Sequence, residues 1–136
     1  MVEPAGYPGS TGGYVAVLPI RIVSEANTRS GVFAKAARVK AQRTTVTQAL
    51  NAYFGVGTGL IQWGPLDVVL TRLAPLELDD DNCVGGCKAP RDAVAQWLGV
   101  SDRKRELVRY IVRQERSKAY GLRIFITRRK PSKESP

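Results

Sequence analysis

The chain has 136 residues, which suffices for one small domain and leaves no room for a second of ordinary size. Hydrophobic residues make up 43% of it, as in globular proteins, and no apolar run approaches the ~20 residues that span a membrane. Its 21 Lys and Arg outnumber its 12 Asp and Glu. The net charge of +9 favours nucleic acid as the partner, rather than a membrane or a small-molecule substrate.

The first half of the chain predicts two strands and one helix. Residues 1–12 are rich in Gly and Pro, and we expect them to be disordered. Residues 14–23 are β-branched and partly alternating, which predicts a strand that Pro19 either places at a sheet edge or interrupts. The spacing of apolar residues predicts a helix over 32–54, and renewed alternation predicts a strand over 66–73.

The second half of the chain predicts one helix and two strands. A helical pattern stops at Gly99, with a kink or break expected between Gly85 and Pro90 because proline removes a backbone donor. Residues 106–115 and 120–129 alternate, and the short link between them predicts a closing hairpin.

These elements follow the order β-α-β-α-β-β and predict an α+β fold. A mixed sheet of about four strands with two helices on one face would bury the apolar sides of both layers. We therefore expect one domain over residues 13–129, followed by a loose basic tail over 130–136.

The two cysteines favour a reducing compartment. Cys83 and Cys87 are four residues apart, and a disulfide at that spacing within a helix is geometrically poor. We expect reduced thiols that pack as small core residues. The N-terminus also lacks the charged start and apolar centre of a signal peptide, so the prediction is a cytoplasmic protein.

Basic residues are segregated from acidic ones along the chain. No acid occurs between Glu25 and Asp67, and only two acids oppose a second basic block that runs from Arg103 to Lys133. The acid-free stretch contains Arg29, Lys35, Arg38, Lys40 and Arg43. This segregation favours contacts with phosphates, and the alternative is a basic surface that is merely solvated.

Three consecutive acids, Asp79, Asp80 and Asp81, stand out in a chain that is otherwise basic. Helix capping needs only one of them. A calcium loop that starts at Asp79 would place Val84 where a Gly is required and Pro90 where a Glu is required. A zinc site lacks ligands, because the chain has two Cys and no His. A magnesium or manganese site, and capping combined with solvated acids, both stay open.

For the metal site, the sequence suggests a specific set of residues. In an extended segment Asp79 and Asp81 would point to the same side, and Asp102 would return to them if the intervening helix packs back on the sheet. Lys88 lies early in that helix. Carboxylates around a divalent cation with a nearby Lys are typical of sites that hydrolyse phosphodiesters.

Three segments resemble the RusA-type Holliday junction resolvases, particularly the phage and prophage form. "LPIRIVSEANTR" is similar to the first strand of that family and the Asn- and Arg-bearing loop after it. "AARVKAQR" resembles the basic helix of the phage branch. "LDDDNCVGGCKAPRDAVAQWLGVSD" resembles a signature in which Asp-x-Asp-Asn opens a helix, a Lys and an Arg-Asp follow, and an Asp comes after the helix. Together with the closing strands, the resemblance spans roughly residues 16–127.

The resemblance implies a homodimeric, Mg²⁺-dependent endonuclease, with Mn²⁺ as a possible substitute, that resolves four-way DNA junctions by paired cuts. Asp79, Asp81 and Asp102 match the metal-binding acids of the family, and Lys88 matches its essential Lys. A bacterial cytoplasm and a phage or prophage origin are implied as well. The residues expected to contact DNA are Asn27, Arg29, Lys35, Arg38, Lys40, Arg43, Asn82, Arg116 and Lys118.

Two other functions fit the composition. A non-enzymatic nucleic-acid-binding protein would share the charge and size but would not need the acids. A metal nuclease that acts on other branched DNA would share the acids but would not need a dimer.

Overall fold

The structure, a computed structural model, describes residues 13–23, 31–55, 60, 64–101, 104 and 106–129. The expected disordered start and basic tail lie outside these residues. In chain order the elements are β1 (Tyr14–Leu18), α1 (Val32–Phe54), β2 (Leu66–Ala74), α2 (Asp80–Gly86), α3 (Lys88–Leu98), β3 (Val108–Arg116) and β4 (Gly121–Arg128). The four strands form one mixed sheet, so the α+β prediction is confirmed.

The first strand behaves as its proline predicts. β1 ends at Leu18, immediately before Pro19, and it occupies one edge of the sheet, where it pairs antiparallel with β4 alone. An edge position suits a strand that is followed by proline, because the missing N–H would otherwise break a ladder.

The prediction of a closing hairpin is wrong. The strand order is β1-β4-β2-β3, so β2 lies between β3 and β4. β2 and β3 are parallel, because the helical segment between them forms a crossover of the strand-helix-strand type. The link between β3 and β4 instead passes the end of β2, where the Ser117 amide donates a hydrogen bond of 2.9 Å to the Ala74 carbonyl.

The first helix has the predicted bounds but is only partly covered. Its buried residues are Gln42, Val46 and Leu50, all of which follow its first ten residues, whereas Val32 and Phe33 at its start are 82% and 91% exposed. The beginning of α1 therefore projects beyond the core.

The second predicted helix is broken within the expected interval. Cys87 separates α2 from α3, which begins at Lys88 and runs to Leu98. Gly99 then adopts a left-handed conformation with φ 79°, which ends the helix. The break leaves α2 as a separate element that begins with Asp80 and Asp81.

An aromatic group closes the end of the core that α1, α3 and β1 share. Phe54 stacks on Tyr14 with ring centroids 4.7 Å apart and meets Trp97 at 6.1 Å. The Trp97 indole donates hydrogen bonds of 3.0 Å to the Asn51 side chain and to the Gly55 carbonyl. Trp97 is thus a core residue, with its polar atom satisfied.

The core lies on one face of the sheet. The alternate β2 residues Leu66, Val68 and Leu70 are at most 2% exposed and pack in one cluster with residues of all three helices. The intervening β2 residue Val69 stays half-exposed. The described helices therefore cover one face, as the sequence predicts.

None of the helices described here combines the length and the apolar character that crossing a membrane requires.

Candidate functional site

The acidic cluster, defined as Asp79, Asp80 and Asp81, lies where the chain passes from β2 into α2. Asp79 is the N-cap of α2, and the other two occupy its first turn. The prediction that Asp79 and Asp81 share one side of an extended segment is therefore wrong, because the helix begins at Asp80. Asp79 also makes no side-chain cap hydrogen bond. Capping in the strict sense thus does not account for it.

The carboxylates of the acidic cluster are exposed, and their described surroundings contain no ion-pair partner. Among the residues that the structure describes, no Lys or Arg lies within ion-pair distance of Asp79, Asp80 or Asp81. Within the same residues no three Cys, Asp or Glu side chains converge on one point. Asp102, the expected third metal ligand, lies outside the described residues. Its approach to the cluster stays a prediction.

A buried arginine holds the segment that leads into the acidic cluster. Arg72 is 6% exposed, and its Nη1 donates a hydrogen bond of 2.7 Å to the Leu76 carbonyl. Its Nε donates one of 3.1 Å to the Ile22 carbonyl, in the segment after β1. Because hydrogen bonds from a charged group are among the stronger ones, this guanidinium ties two loops to the end of β2.

Gln114 of β3 fixes the residue next to the cluster. Its Oε1 accepts a hydrogen bond of 2.9 Å from the Leu78 amide, and its Nε2 donates one of 2.8 Å to the Leu78 carbonyl. The same Oε1 also accepts a hydrogen bond of 3.1 Å from Arg72. The backbone directly before Asp79 is thereby held on both of its polar groups.

Close packing fixes α2 from its other end. A Cβ placed on Gly86 would collide with the Val23 carbonyl oxygen and would lie 2.8 Å from Cγ2 of Ile22. Only glycine permits this approach without a shift of the backbone. Gly85, one residue earlier, has no atom within 4 Å of the corresponding position.

The two cysteines are buried beside this framework. Cys83 and Cys87 are 2% and 1% exposed and belong to the core. A hydrogen bond with Cys83, and burial, raise the pKa of Cys87 far above its ordinary value, so this group stays a thiol. The expectation that both pack as small core residues is confirmed.

Lys88 begins α3, and its Nζ lies 2.9 Å from Oδ2 of Asp92, one turn later. The Lys88 side chain is 64% exposed. An exposed pair of this kind contributes at most ~1 kcal/mol, so the ammonium group can exchange partners. The catalytic role predicted for Lys88 stays a prediction.

A cleft beside the acidic cluster has a polar lining. It encloses about 400 Å³ and is lined by Glu77, Asp80, Arg113 and Gln114, among others. Asp79 and Asp81 do not line it. Asp80 therefore borders this cleft, whereas Asp79 and Asp81 lie outside its lining.

The basic residues expected on α1 do not all line the same cleft. Lys40 and Arg43 line an open cleft of about 720 Å³ between α1 and α3, together with Gln96 and Trp97. The Arg43 guanidinium donates a hydrogen bond of 3.4 Å to the Gln96 side chain. Lys35 and Arg38 lie nearer the projecting start of the helix.

The other expected DNA contacts are dispersed. Arg116 ends β3, and Lys118 lies in the following link, both exposed. Asn82 lies in α2, beside the acidic cluster. Asn27 and Arg29 lie outside the described residues. The structure thus brings Lys40 and Arg43 together at one cleft but does not bring the whole set to one place.

No known protein family matches this chain, and no curated protein shows significant sequence similarity to it.

Sequence reasoning missed Arg72 and Gln114, the two residues that hold the acidic segment in place. A signal for Arg72 was present. In "LDVVLTRL" it occupies the same alternate positions as Leu66, Val68 and Leu70, and a charged residue at an inward position must find partners. Gln114 carries no comparable signal, because its position in β3 gains meaning only once β3 pairs with β2.

Proposed function

We propose that this protein is a Mg²⁺-dependent endonuclease that resolves four-way DNA junctions by paired, symmetric phosphodiester cleavage. One observation supports it above all. Three consecutive carboxylates without a cationic neighbour among the described residues follow a backbone segment that Arg72 and Gln114 hold after a central strand. A run of like charges repels itself, so rigid support for it in a basic protein favours a cation as the missing partner.

The chemistry of the donors fits magnesium or manganese. Carboxylate oxygens are the ligands that these hard cations prefer, and both cations retain several waters in such sites. Asp79, Asp81 and Asp102 are the proposed ligands, as the resemblance to the RusA-type resolvases implies. A bound cation supplies an activated water and offsets the charge that develops on phosphate. The framework residues Arg72 and Gln114 keep the backbone before Asp79 in place.

Lys88 has the proposed role of a fixed positive charge beside the scissile phosphate. Its exposed pair with Asp92 would be exchanged for the phosphate when DNA binds. Because an exposed ion pair contributes little free energy, this exchange costs little.

DNA is proposed to lie against α1 and the cleft between α1 and α3. Lys35, Lys40 and Arg43 have no acidic partner among the described residues, so their charge is available to phosphates. Such contacts hold the DNA without reading its sequence. Asn27, Arg29, Arg38, Asn82, Arg116 and Lys118 complete the proposed contacts.

Two copies are proposed to act together, because one junction requires two cuts and one chain of this size carries one site. Twofold dimers are the commonest assembly of small proteins and match the symmetry of a junction. A cytoplasmic location in a bacterium and a phage or prophage origin belong to the same proposal.

The test is incubation of the folded protein with a synthetic four-way junction and Mg²⁺, followed by denaturing gels that resolve each strand. Paired cuts related by twofold symmetry, absent when the cation is chelated, are the expected result. Full-length strands at protein excess, with Mg²⁺ or Mn²⁺, would overturn the proposal.

A second candidate is a basic nucleic-acid-binding protein without catalytic activity. It is favoured by the pairing of Lys88 with Asp92 and by the lack of three converging metal ligands among the described residues. The same gels distinguish it, because such a protein would shift the junction on a native gel and cut no strand. A nuclease for other branched DNA would give unpaired cuts and would prefer flaps.

A further inference from the structure

The sheet face opposite the helices carries a complete apolar row. Val15 of β1, Phe125 of β4, Val69 of β2 and Ile111 of β3 are successive partners in the strand registers. They therefore form one line across all four strands. Val15 is 37% exposed, its neighbour Val17 is 51% exposed, and the other three are half-exposed. The described helices contribute to the core on the opposite side and leave this row open.

Both acids that flank the row are paired with arginines of the same face. Asp67 accepts hydrogen bonds from Arg109 and Arg129 at 2.9–3.1 Å. Glu115 accepts two from Arg123, at 2.9 and 3.1 Å. Phosphate binding needs cations whose charge is available, so this face is a poorer surface for DNA than α1. Paired charges around an apolar centre are instead typical of a protein interface.

We propose that this face is the interface between two copies of the chain, stacked with a twofold axis parallel to the strands. The inference rests on the proposed function in that paired cleavage needs two copies, and it names the surface that joins them. Only a second copy presents the same apolar row at the same width, as an isologous contact requires.

The direction of the axis follows from the registers. With the axis along the strands, β1 lies over the partner's β3 and β4 over the partner's β2. Val15 then meets Ile111 of the partner subunit, and Phe125 meets Val69 of the partner subunit, so that large and small side chains alternate. With the axis along the row instead, Arg109 would face Arg113 of the partner subunit, and like charges would oppose each other.

The size of the face reaches the lower limit for a specific dimer. β2, β3 and β4 have eight or nine residues each. With strands ~4.8 Å apart and ~3.3 Å per residue, the sheet offers roughly 500 Å² per copy. Two copies bury about 1,000 Å², the level at which specific interfaces begin.

Sedimentation velocity on the full chain tests the interface. The wild type is expected at twice its monomer mass of 14.9 kDa. Val15→Glu places a carboxylate opposite Ile111 of the partner subunit and should raise the dimer dissociation constant about tenfold or more. Val32→Glu is the matched control, because it makes the same change at a more exposed valine on α1 and should leave the dimer intact. A monomeric wild type would overturn the inference and leave the face to another occupant, such as residues 1–12.

Cross-linking tests the axis without depending on Val15→Glu. Val15 and Ile111 lie on opposite edge strands, about 14 Å apart within one chain, which a two-carbon bis-methanethiosulfonate cannot span. The double variant Val15→Cys/Ile111→Cys should therefore cross-link only between copies. The wild type, whose cysteines are buried, and both single variants should stay uncross-linked. Cross-linking of Val15→Cys alone, or none in the double variant, would overturn the proposed stacking.

These results separate the interface from the enzyme. A dimer that cuts no junction would overturn the proposed nuclease and leave the interface standing. A monomer that gives paired cuts would do the reverse.

Discussion

Acidic side chains on the sheet and acidic side chains after β2 have opposite surroundings. Asp67 is bound by Arg109 and Arg129, and Glu115 by Arg123. Asp79, Asp80 and Asp81 have no such partner among the described residues, although the chain carries a net charge of +9. The ion pairs of Asp67 and Glu115 give these two acids a structural role. Ion pairs among the described residues do not explain the acidic cluster, so the cluster is the better candidate for a functional site.

The same distinction holds for the cations. Arg123 and Arg109 are engaged by carboxylates on the open sheet face. Lys40 and Arg43 line a cleft whose described lining residues include no acid. An ion pair largely cancels the field of an arginine at distances beyond a few ångström, so net charge alone does not locate a polyanion-binding surface. The pairing pattern therefore favours α1 over the sheet face for the proposed DNA contacts.

The largest expected effect comes from substitution in the acidic cluster. Asp81→Asn should lower junction cleavage in Mg²⁺ by about 100-fold or more, because it removes a proposed metal ligand. Binding of the uncut junction should stay equal or tighten, since negative charge near the DNA is lost. Cleavage on denaturing gels and binding on native gels measure the two effects separately.

Asp67→Asn is the comparison variant, because it neutralises an acid that already has partners. It should lower the free energy of unfolding while the folded protein keeps its dependence on Mg²⁺. Wild-type cleavage by Asp81→Asn would contradict the assignment of the metal to this cluster.

Local pattern specified most of the fold. Periodicity placed α1 and β2 within a residue of their observed bounds, and Pro90 and the glycines before it indicated the break at Cys87. The pairing of β3 was not predictable in the same way. A short link between two alternating segments favours a hairpin, and only the competition of β2 for both strands overrides it. The pairing of β2 with β3 and β4 joins distant parts of the chain, which a local pattern does not reveal.

The candidate site was predictable in its residue types but not in its geometry. Three adjacent acids are visible in the sequence, whereas the start of α2 at Asp80 changes which of them share a direction. The support of the cluster comes from Ile22 and Gln114, which are 50 and 42 positions from Arg72. Local sequence patterns contain no information about partners at such separations.

A smaller effect is expected for DNA affinity. Lys40→Gln/Arg43→Gln should weaken junction binding and reduce the slope of log affinity against log salt by about two units, because two phosphate contacts are lost. Arg123→Gln removes one charge that is already paired and should leave the slope unchanged. Native gels over a series of salt concentrations measure both. Equal slopes for the double variant and the wild type would move the DNA away from this cleft.

Adjacent glycines in α2 should differ in stability. Gly86→Ala should cost about 1–3 kcal/mol, because its Cβ would meet the Val23 carbonyl. Gly85→Ala makes the same change in open space and should be neutral or stabilise by up to ~1 kcal/mol, as expected for Gly to Ala in a helix. Urea unfolding of both variants measures the difference. Similar losses for both would show that the contact beneath α2 is not close.

The smallest effect concerns a paired acid on the sheet. Hydrogen bonds from Arg123 hold the pKa of Glu115 below its ordinary value of 4.5. A carboxyl whose pKa is lowered by folding contributes stability above its unfolded pKa and loses it as the pH falls through the folded value. Glu115 is fully exposed, so solvent screens the pair and the contribution is slight.

Urea midpoints measured from about pH 7 to about pH 3 test this pair. Glu115→Gln should unfold slightly earlier than the wild type at neutral pH, and the two should converge at the acidic end, where the wild-type carboxyl is protonated. Glu106→Gln removes an exposed acid without an arginine partner among the described residues and controls for the loss of one charge. A constant difference between Glu115→Gln and the wild type across this range would show that the ion pair does not cause it. The ion pair of Glu115 would then be a feature of the geometry that contributes no measurable stability.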